Sequence, residues 1–189
     1  MASDFSTASR TLAPTQGQLQ QFLHFSLEPH TQAMLPIAQL SEVLNVPLGQ
    51  IVPIPHLPPW VLGVYNWRGE ILWMVDLGQL LGLTPWHRQS VARSHYAVIV
   101  LNGSGDYDPK RPLRRQNRQD RNQMLGLVVG EVRDIEWCNP DQIQSAPTAS
   151  ISAALVPYLR GFWVSEPGEM FVVLNGQAVI SRLNQASIT

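Results

Sequence analysis

Residues 54–83 read IPHLPPWVLGVYNWRGEILWMVDLGQLLGL and set one arginine, Arg68, within a largely apolar stretch. The stretch is not a membrane span, because three prolines remove backbone donors and four glycines interrupt its apolar runs. It is better explained as part of a folded core made of short strands and tight turns. A charge within such a core needs a partner, which makes Arg68 a candidate for a special role.

Strands are predicted where β-branched and aromatic residues cluster between turn formers. These segments are 21–27, 60–67, 70–75, 95–101, 124–132, 161–166 and 170–174. Residues 33–46 are predicted as a strand running into a short helical turn, because Leu40, Val43 and Leu44 have helical spacing.

Two short helices are predicted. One follows Asp76, a good N-cap residue, and stops at Gly82; the other lies within residues 174–183. Many short strands with few helices indicate a mainly β fold of small barrels rather than a βαβ sheet.

The composition suits one domain of ordinary size, with 189 residues, 44% of them hydrophobic, and a formal net charge of −1. Near-neutral charge argues against a dedicated binder of nucleic acid or anionic membranes. The single cysteine, Cys138, and the absence of a secretory signal pattern in residues 1–18 lead us to expect a cytoplasmic protein. We predict a flexible tail over residues 1–18 and one domain over residues 19–187.

Residues 103–123 differ from the rest of the chain in being polar and without apolar periodicity. They carry six of the thirteen basic residues and are predicted to form a long hairpin loop between two strands. An arginine-rich loop of this kind leaves one alternative open, a small β-barrel that binds nucleic acid through phosphate contacts. Tyr107 is the loop's one aromatic residue, so no platform for base stacking is expected.

Motifs for catalysis and metal binding are missing from the sequence. The five histidines are scattered, and no HExxH, CxxC, P-loop or dinucleotide-binding pattern occurs. Cys138 has no neighbours in sequence that would lower its pKa, so a hydrolase built on it is a weak alternative. We therefore expect a protein without catalytic residues, metal or cofactor.

Arg68 has two possible environments on this evidence. It is either paired with a carboxylate, for which Glu42 is a candidate in an otherwise apolar segment, or it projects from a hairpin tip into water. The spacing of the residues leaves both open.

The stretch around Arg68 also resembles the signature of CheW-like adaptor domains. That signature has an apolar residue and two spaced prolines, then an aromatic residue, Gly-Val, Asn-Leu-Arg-Gly and Asp-Leu. The residues in register are Pro55, Pro59, Gly63, Val64, Asn66, Arg68, Gly69, Asp76 and Leu77. The likeness extends over nearly the whole chain from Gln21.

The resemblance implies a fold of two intertwined five-stranded SH3-like β-barrels with a hydrophobic seam between them. It also implies a non-catalytic scaffold that couples methyl-accepting chemoreceptors to a CheA-type histidine kinase in a taxis pathway. No nucleic acid is then expected as a partner, and contact with the membrane would be indirect, through the receptors.

The resemblance further implies particular site residues. The family's ion pair maps to Arg68 and Glu42. Its groove for the receptor tip maps to Leu40, Gly63, Tyr96, Ala97 and Gly126. Its kinase-binding face maps to Val43 and Val64.

Four features depart from the family pattern. Trp67 replaces leucine before the arginine, Trp73 replaces a common proline, and Gly130 stands where aspartate is frequent. The basic loop at 103–123 is an insertion in a hairpin that is usually short. These departures suggest a specialised paralogue, for example from a pilus-driven or phototaxis-type system.

Overall fold

A computed structural model describes residues 19–28, 30–88, 94–102, 124–145, 152–166 and 168–186. The predicted tail at 1–18 and the predicted basic loop at 103–123 lie outside these described residues. Within them the chain forms ten strands and two helices, which confirms the prediction of a mainly β fold. The strands are β1 (Gln20–Glu28), β2 (Thr31–Pro36), β3 (Leu40–Pro47), β4 (Val61–Trp67), β5 (Glu70–Asp76), β6 (His95–Asn102), β7 (Met124–Val129), β8 (Glu131–Cys138), β9 (Leu159–Val164) and β10 (Met170–Leu174).

The strands form two five-stranded sheets. The terminal sheet has the order β8-β1-β2-β10-β9, and the central sheet has the order β3-β6-β7-β5-β4. Strand β8 leaves the end of β7 and pairs with β1, so the terminal sheet combines strands from both ends of the described chain. The central sheet takes the consecutive strands β3 to β7, and the terminal sheet takes its strands from both sides of that segment, so the two sheets are intertwined.

Each sheet curls toward closure at its outer strands. Val52, beyond the end of β3, pairs with Val64 of β4, and Gln144, beyond the end of β8, pairs with Phe162 of β9. In both sheets these bridges connect the two ends of the strand order. The sheets thus approach two small barrels, as the sequence resemblance implied.

Buried side chains form three clusters. The largest lies between the two sheets and includes Phe25, Leu35, Ile99 and Leu127. A second, inside the central barrel, contains residues such as Trp67 and Met74, and a third, inside the terminal barrel, surrounds Phe22 and Phe171. Because successive residues of a strand face opposite sides, one face of each sheet packs inside its own barrel and the other face packs against the second sheet at the seam.

The two barrels are structural repeats of each other. Val46 near the end of β3 and Cys138 at the end of β8 are both 1% exposed, each inside its own barrel. The short 3-10 turns that follow, Leu48–Gln50 and Pro140–Gln142, begin two residues later in both cases. Both sheets also share the pairing pattern antiparallel, antiparallel, parallel, antiparallel.

The repeat also explains two glycines. Gly63 in β4 and Gly161 in β9 have φ values of 138° and 158°. A Cβ on either glycine would collide with the backbone carbonyl of the residue that forms the closing bridge of its barrel. That residue is Val52 in the central barrel and Gln144 in the terminal barrel. Glycine is needed at both points because backbone closes directly on backbone.

The helices begin where side chains cap them. Helix α1 (Leu77–Leu80) starts after Asp76, whose Oδ1 accepts the Gln79 amide at 3.0 Å, which confirms Asp76 as the N-cap. The chain then turns at Gly82, whose φ is 76°. Helix α2 (Gly176–Ala186) starts after Asn175, whose Oδ1 accepts the amides of the first turn.

Two predictions of secondary structure are wrong. Residues 33–46 contain no helical turn at Leu40–Leu44; the helical element there is the 3-10 turn Ile37–Gln39, and Val43 and Leu44 lie in strand β3. Their apparent helical spacing arises because β3 is an outer strand with apolar residues on both faces. The predicted strand 124–132 is two strands, separated at Gly130, and the second continues to Cys138.

Candidate functional site

Arg68 lies at the tip of the β4–β5 hairpin. Trp67 pairs with Glu70, leaving Arg68 and Gly69 as a two-residue turn with φ values of 54° and 81°. Positive φ at both residues is the type I′ turn that fits the twist of a hairpin. The amide of Gly69 donates to Asn66 Oδ1 at 3.0 Å, which fixes the turn from within.

The Arg68 side chain pairs with Glu42 of β3. The Arg68 Nη2 donor lies 2.6 Å from Glu42 Oε2, and the side chains are 49% and 23% exposed, respectively. Both environments considered from the sequence are therefore partly realised, since Arg68 is at a hairpin tip and also meets a carboxylate. The idea of a buried arginine is wrong, because a turn residue on a curled sheet remains accessible to water.

The buried partner of Glu42 is Trp67. The Trp67 side chain is 4% exposed, and its indole Nε1 donates to Glu42 Oε1. The Arg68 guanidinium also lies 5.3 Å from the centre of the Trp67 ring. Glu42 therefore satisfies an indole N–H that burial has removed from water, while Arg68 covers the indole from outside.

A groove runs along the seam where the edge of the central sheet meets the start of β8. Its volume is about 710 Å³. We call it the seam groove, and it is lined by Val43, Leu44, Asn45, His95, Ala97, Gly130, Glu131 and Val132. Apolar side chains line it together with one carboxylate and one imidazole, so it suits a partner that buries apolar surface.

Gly130 shapes one wall of this groove. Its amide donates to the Ser26 carbonyl at 2.8 Å, and a Cβ at this position would lie 2.7 Å from Ser26 Oγ. The next amide, of Glu131, donates to Ser26 Oγ at 2.9 Å. The departure from aspartate to glycine noted in the sequence therefore coincides with a close approach of β1 to the β7–β8 connection.

The five residues predicted for the receptor groove do not share one surface. Ala97 lines the seam groove, and Leu40 is half-buried against the core between the sheets. Gly63 and Gly126 are buried, and a Cβ on Gly126 would lie 2.6 Å from Met74 Sδ inside the central barrel. Tyr96 faces the opposite side of β6 and packs against Trp86 in a tilted arrangement, with ring centres 4.4 Å apart.

The two residues predicted for the kinase face are also separated. Val43 is 47% exposed and lines the seam groove beside Ala97. Val64 lies across the sheet in β4, between the exposed Val52 and the half-buried Trp73 in one cross-strand row. With the exposed Ile71, these residues form an apolar patch that we call the β4 patch.

Asp76 and Cys138 are buried, so neither side chain lies on a surface where a partner could bind. Burial raises the pKa of Asp76 although the amides of Gln79 and Trp86 donate to it, and these bonds tie α1 to the 3-10 turn Trp86–Arg88. Burial raises the pKa of the Cys138 thiol to about 11. A thiol held protonated at neutral pH gives a hydrolase built on Cys138 no support.

No cluster of three or more His, Cys, Asp or Glu side chains that could hold a metal occurs among the described residues. None of the helices in the described part of the chain is long and apolar enough to cross a membrane.

Sequence reasoning missed most of the seam groove. Asn45, His95, Glu131 and Val132 come from three separate segments and become neighbours only when β8 leaves the central sheet to join β1. The alternation of β3 would have placed Val43 and Asn45 on one face, but it gives no hint of which segment lies opposite them.

The fold and the groove define a double-barrel β protein with an open groove between its barrels. The CheW-like domain matches residues 21–184 of the chain. Because this match spans most of the sequence, the chain belongs to the CheW-like family.

Named relatives agree with this assignment. The chain is 31% identical over 102 residues to a probable chemotaxis protein CheW of Rhizobium etli, a match covering 54% of this chain and 51% of that protein. It is 25% identical over 168 residues to the chemotaxis protein CheW of Klebsiella aerogenes, covering 89% of this chain and 84% of that protein. The match thus spans about half the length of the Rhizobium relative and most of the Klebsiella one.

The fold also matches a solved structure, that of the scaffolding protein TtCheW from Thermoanaerobacter tengcongensis. The TM-score is 0.63 at 19% sequence identity, covering 84% of this chain and 90% of that chain. At this identity the likeness shows the fold.

Proposed function

We propose that the protein is a non-catalytic cytoplasmic adaptor that couples chemoreceptors to a CheA-type histidine kinase in a taxis pathway. The observation that carries the proposal is the CheW-like match over residues 21–184, together with relatives named as chemotaxis proteins. The nucleic-acid alternative finds no support in these relatives, and the loop on which it depended lies outside the described residues.

The receptor tip docks in the seam groove in this proposal. Val43 and Ala97 supply apolar surface, and Glu131 and His95 stand near its rim, exposed to water. An apolar floor with a polar rim is the usual anatomy of a protein–protein interface. Of the residues predicted from the sequence, Ala97 keeps its receptor role, while the buried Gly63 and Gly126 act by allowing close packing behind the surface.

The kinase docks on the β4 patch in this proposal. Val52 and Ile71 are 61% and 69% exposed, and Val64 lies beside Val52 in the same row. Apolar side chains this exposed add little to the stability of the folded chain. They contribute to the free energy of binding when a partner covers them. The two proposed sites use different strands of the central barrel, β3 and β6 for the receptor and β4 and β5 for the kinase, and both partners are bound at once in this proposal.

The test measures binding of two purified fragments to the full-length chain: the cytoplasmic part of a methyl-accepting receptor and the CheA regulatory domain, both from the same organism. Val43→Arg should weaken receptor binding at least about tenfold and leave kinase binding intact. Ile71→Arg should do the reverse. Val156→Arg is the matched control, since Val156 is 44% exposed in the 3-10 turn Val156–Tyr158 and belongs to neither site.

Loss of both interactions in either single variant, with the fold intact, would show that the sites are not separate. Absence of binding of either fragment to the wild-type chain would overturn the adaptor proposal itself.

A further inference from the structure

Trp73 lies where the β4 patch meets the core between the two sheets. Its cross-strand neighbours on the same face are Val64 in β4 and Leu125 in β7. Leu125 is 1% exposed, whereas Val52, on the far side of Val64, is 61% exposed. The row therefore passes from the core to the surface, and the half-buried Trp73 stands at the boundary.

The same change from surface to core occurs along strand β5. Ile71, two residues before Trp73, is 69% exposed, and Val75, two residues after it, is fully buried. Residues two apart in a strand share one face of the sheet. Trp73 packs against the cluster of buried residues that contains Val75. The core therefore holds part of the Trp73 side chain in place, while another part belongs to the surface of the β4 patch.

The repeat shows that the fold does not require tryptophan at this position. Counting from the pairing partners of the two closing glycines, Trp73 of β5 corresponds to Val172 of β10. Val172 is 7% exposed in the core between the sheets, and the larger residue of that pair is Phe162 on the neighbouring strand β9. A small side chain is thus sufficient on this strand. The indole of Trp73 goes beyond what packing of the barrel demands.

The indole N–H of Trp73 is open to water. Among the described residues, Trp86 Nε1 is the one indole nitrogen that is buried without a hydrogen-bond partner, and no side-chain hydrogen bond within them involves Trp73. A partner that covers the Trp73 N–H must supply an acceptor, because a buried donor left unpaired is destabilising. The side chain therefore offers a partner both an apolar ring and one directional donor.

We propose that Trp73 is the specificity-determining residue of the kinase site. The proposal rests on the function proposed above, in which the kinase docks on the β4 patch. The indole enters an apolar recess of the kinase regulatory domain, and an oxygen at the margin of that recess accepts the indole N–H. An aromatic side chain already held by the core loses little entropy on binding, so it contributes much of its buried area to affinity.

Discrimination follows from the size of the indole. A kinase domain that fits an adaptor with proline at this position has no need of such a recess. The Trp73 ring would then collide with its surface, and the N–H would be covered without an acceptor. Trp73 therefore favours the chain's own kinase in two ways, by fitting it and by excluding others.

The test compares two kinase domains with one set of adaptor variants. The probes are the purified CheA regulatory domain from the same organism and that of a taxis system whose adaptor has proline at this position, each titrated into the full-length chain by calorimetry. Wild type should bind its own domain at least about tenfold more tightly than the other. Trp73→Leu should weaken binding of its own domain about tenfold or more and strengthen binding of the other. Trp73→Phe keeps a ring without the N–H and should weaken binding of its own domain about fivefold.

Leu125→Ala is the matched control for a change that affects packing alone. Leu125 is next to Trp73 in the row and is 1% exposed, so this variant should be less stable in urea and should keep both kinase affinities. Binding of the receptor fragment should be the same for every variant, since neither residue lines the seam groove. Urea unfolding establishes that each variant is folded under the conditions of the titration. If Trp73→Leu is not, Trp73→Phe carries the same comparison of the two domains.

Unchanged kinase binding in the folded Trp73 variants, with Ile71→Arg still weakening it, would overturn the role of Trp73 and leave the proposed function standing. Equal losses of affinity for both kinase domains would also overturn it, because Trp73 would then contribute affinity without discrimination. Absence of kinase binding by wild type, or no effect of Ile71→Arg, would overturn the proposed kinase site and this proposal together.

Discussion

Glu42 and Arg68 come from opposite ends of the strand order in the central sheet, yet their side chains lie 2.6 Å apart. This contact, with the bridge between Val52 and Val64, joins the two outer strands and closes the barrel. The hydrogen bond from buried Trp67 to the same carboxylate adds a second link at the same closure. Glu42 therefore joins the two edges of the sheet through two different neighbours.

Removing Glu42 should cost more stability than removing Arg68. Glu42→Ala leaves the Trp67 indole N–H buried without this acceptor, which costs about 1–3 kcal/mol. Arg68→Ala removes an ion pair whose arginine is about half exposed, and such pairs contribute roughly 0–1 kcal/mol. Urea unfolding of the two variants at neutral pH measures the difference.

Trp67→Phe provides the control for this order. In that background no indole N–H remains to be satisfied, so Glu42→Ala should lose much of its cost. A penalty for Glu42→Ala that is the same with tryptophan and phenylalanine at position 67 would show that the indole bond contributes little.

Gly63→Ala should destabilise the protein strongly, even though it adds one methyl group. The φ of 138° is unfavourable for alanine, and the new methyl would meet the Val52 carbonyl in the bridge that closes the barrel. Strain and overpacking together should cost about 2–4 kcal/mol. Gly49→Ala is the control, because nothing lies within 4 Å of its added methyl and its φ is ordinary. Equal stability of the two variants in urea would contradict the close approach at Gly63.

The Cys138 thiol should react slowly in the folded protein. It is 1% exposed, and burial raises its pKa to about 11, so both access and thiolate are lacking at neutral pH. Cys138 is the sole cysteine of the chain, so iodoacetamide labelling reports on it alone. Labelling at pH 7.5, followed by mass spectrometry, should be slow in buffer and fast in urea. Rapid labelling of folded protein would reopen the possibility of a reactive thiol.

The same thiol links stability to pH at the alkaline end. Its pKa is raised from an ordinary value of 9.0, so the folded state holds the proton more tightly than the unfolded chain. This contribution to stability is complete below pH 9 and is lost as pH rises toward 11. Between those pH values, the free energy of unfolding should fall more steeply for wild type than for Cys138→Ala.

The sequence predicted the features that depend on local chemistry. Asp76 was identified as a helix cap because a carboxylate before an apolar run accepts amides of the first turn, and the structure places it there. The mainly β class followed from alternating β-branched segments. By contrast, β8 was only partly predicted, because its exposed strand mixes charged residues with Ile135 and Trp137 and so lacks a clear apolar face.

The candidate sites were harder to predict, since they depend on which segments meet. Val43 and Ala97 were assigned to different partners from the family resemblance, and they line one groove because β3 and β6 are paired. Gly126 was placed on a surface although it faces the interior, since a glycine in a strand carries no sign of the face it occupies.

Replacing residues 103–123 with a four-residue turn containing Asn-Gly should preserve the fold. Asn102 and Met124 are paired at the ends of β6 and β7, so a short hairpin turn can connect them directly. A shorter closed loop loses less entropy on folding, so the free energy of unfolding should rise by about 1 kcal/mol.

If the insertion marks a specialised paralogue, the shortened chain should bind its own receptor fragment and one from an unrelated taxis system with similar affinities. Wild type should prefer its own, and unchanged preference in the shortened chain would remove the loop from partner choice.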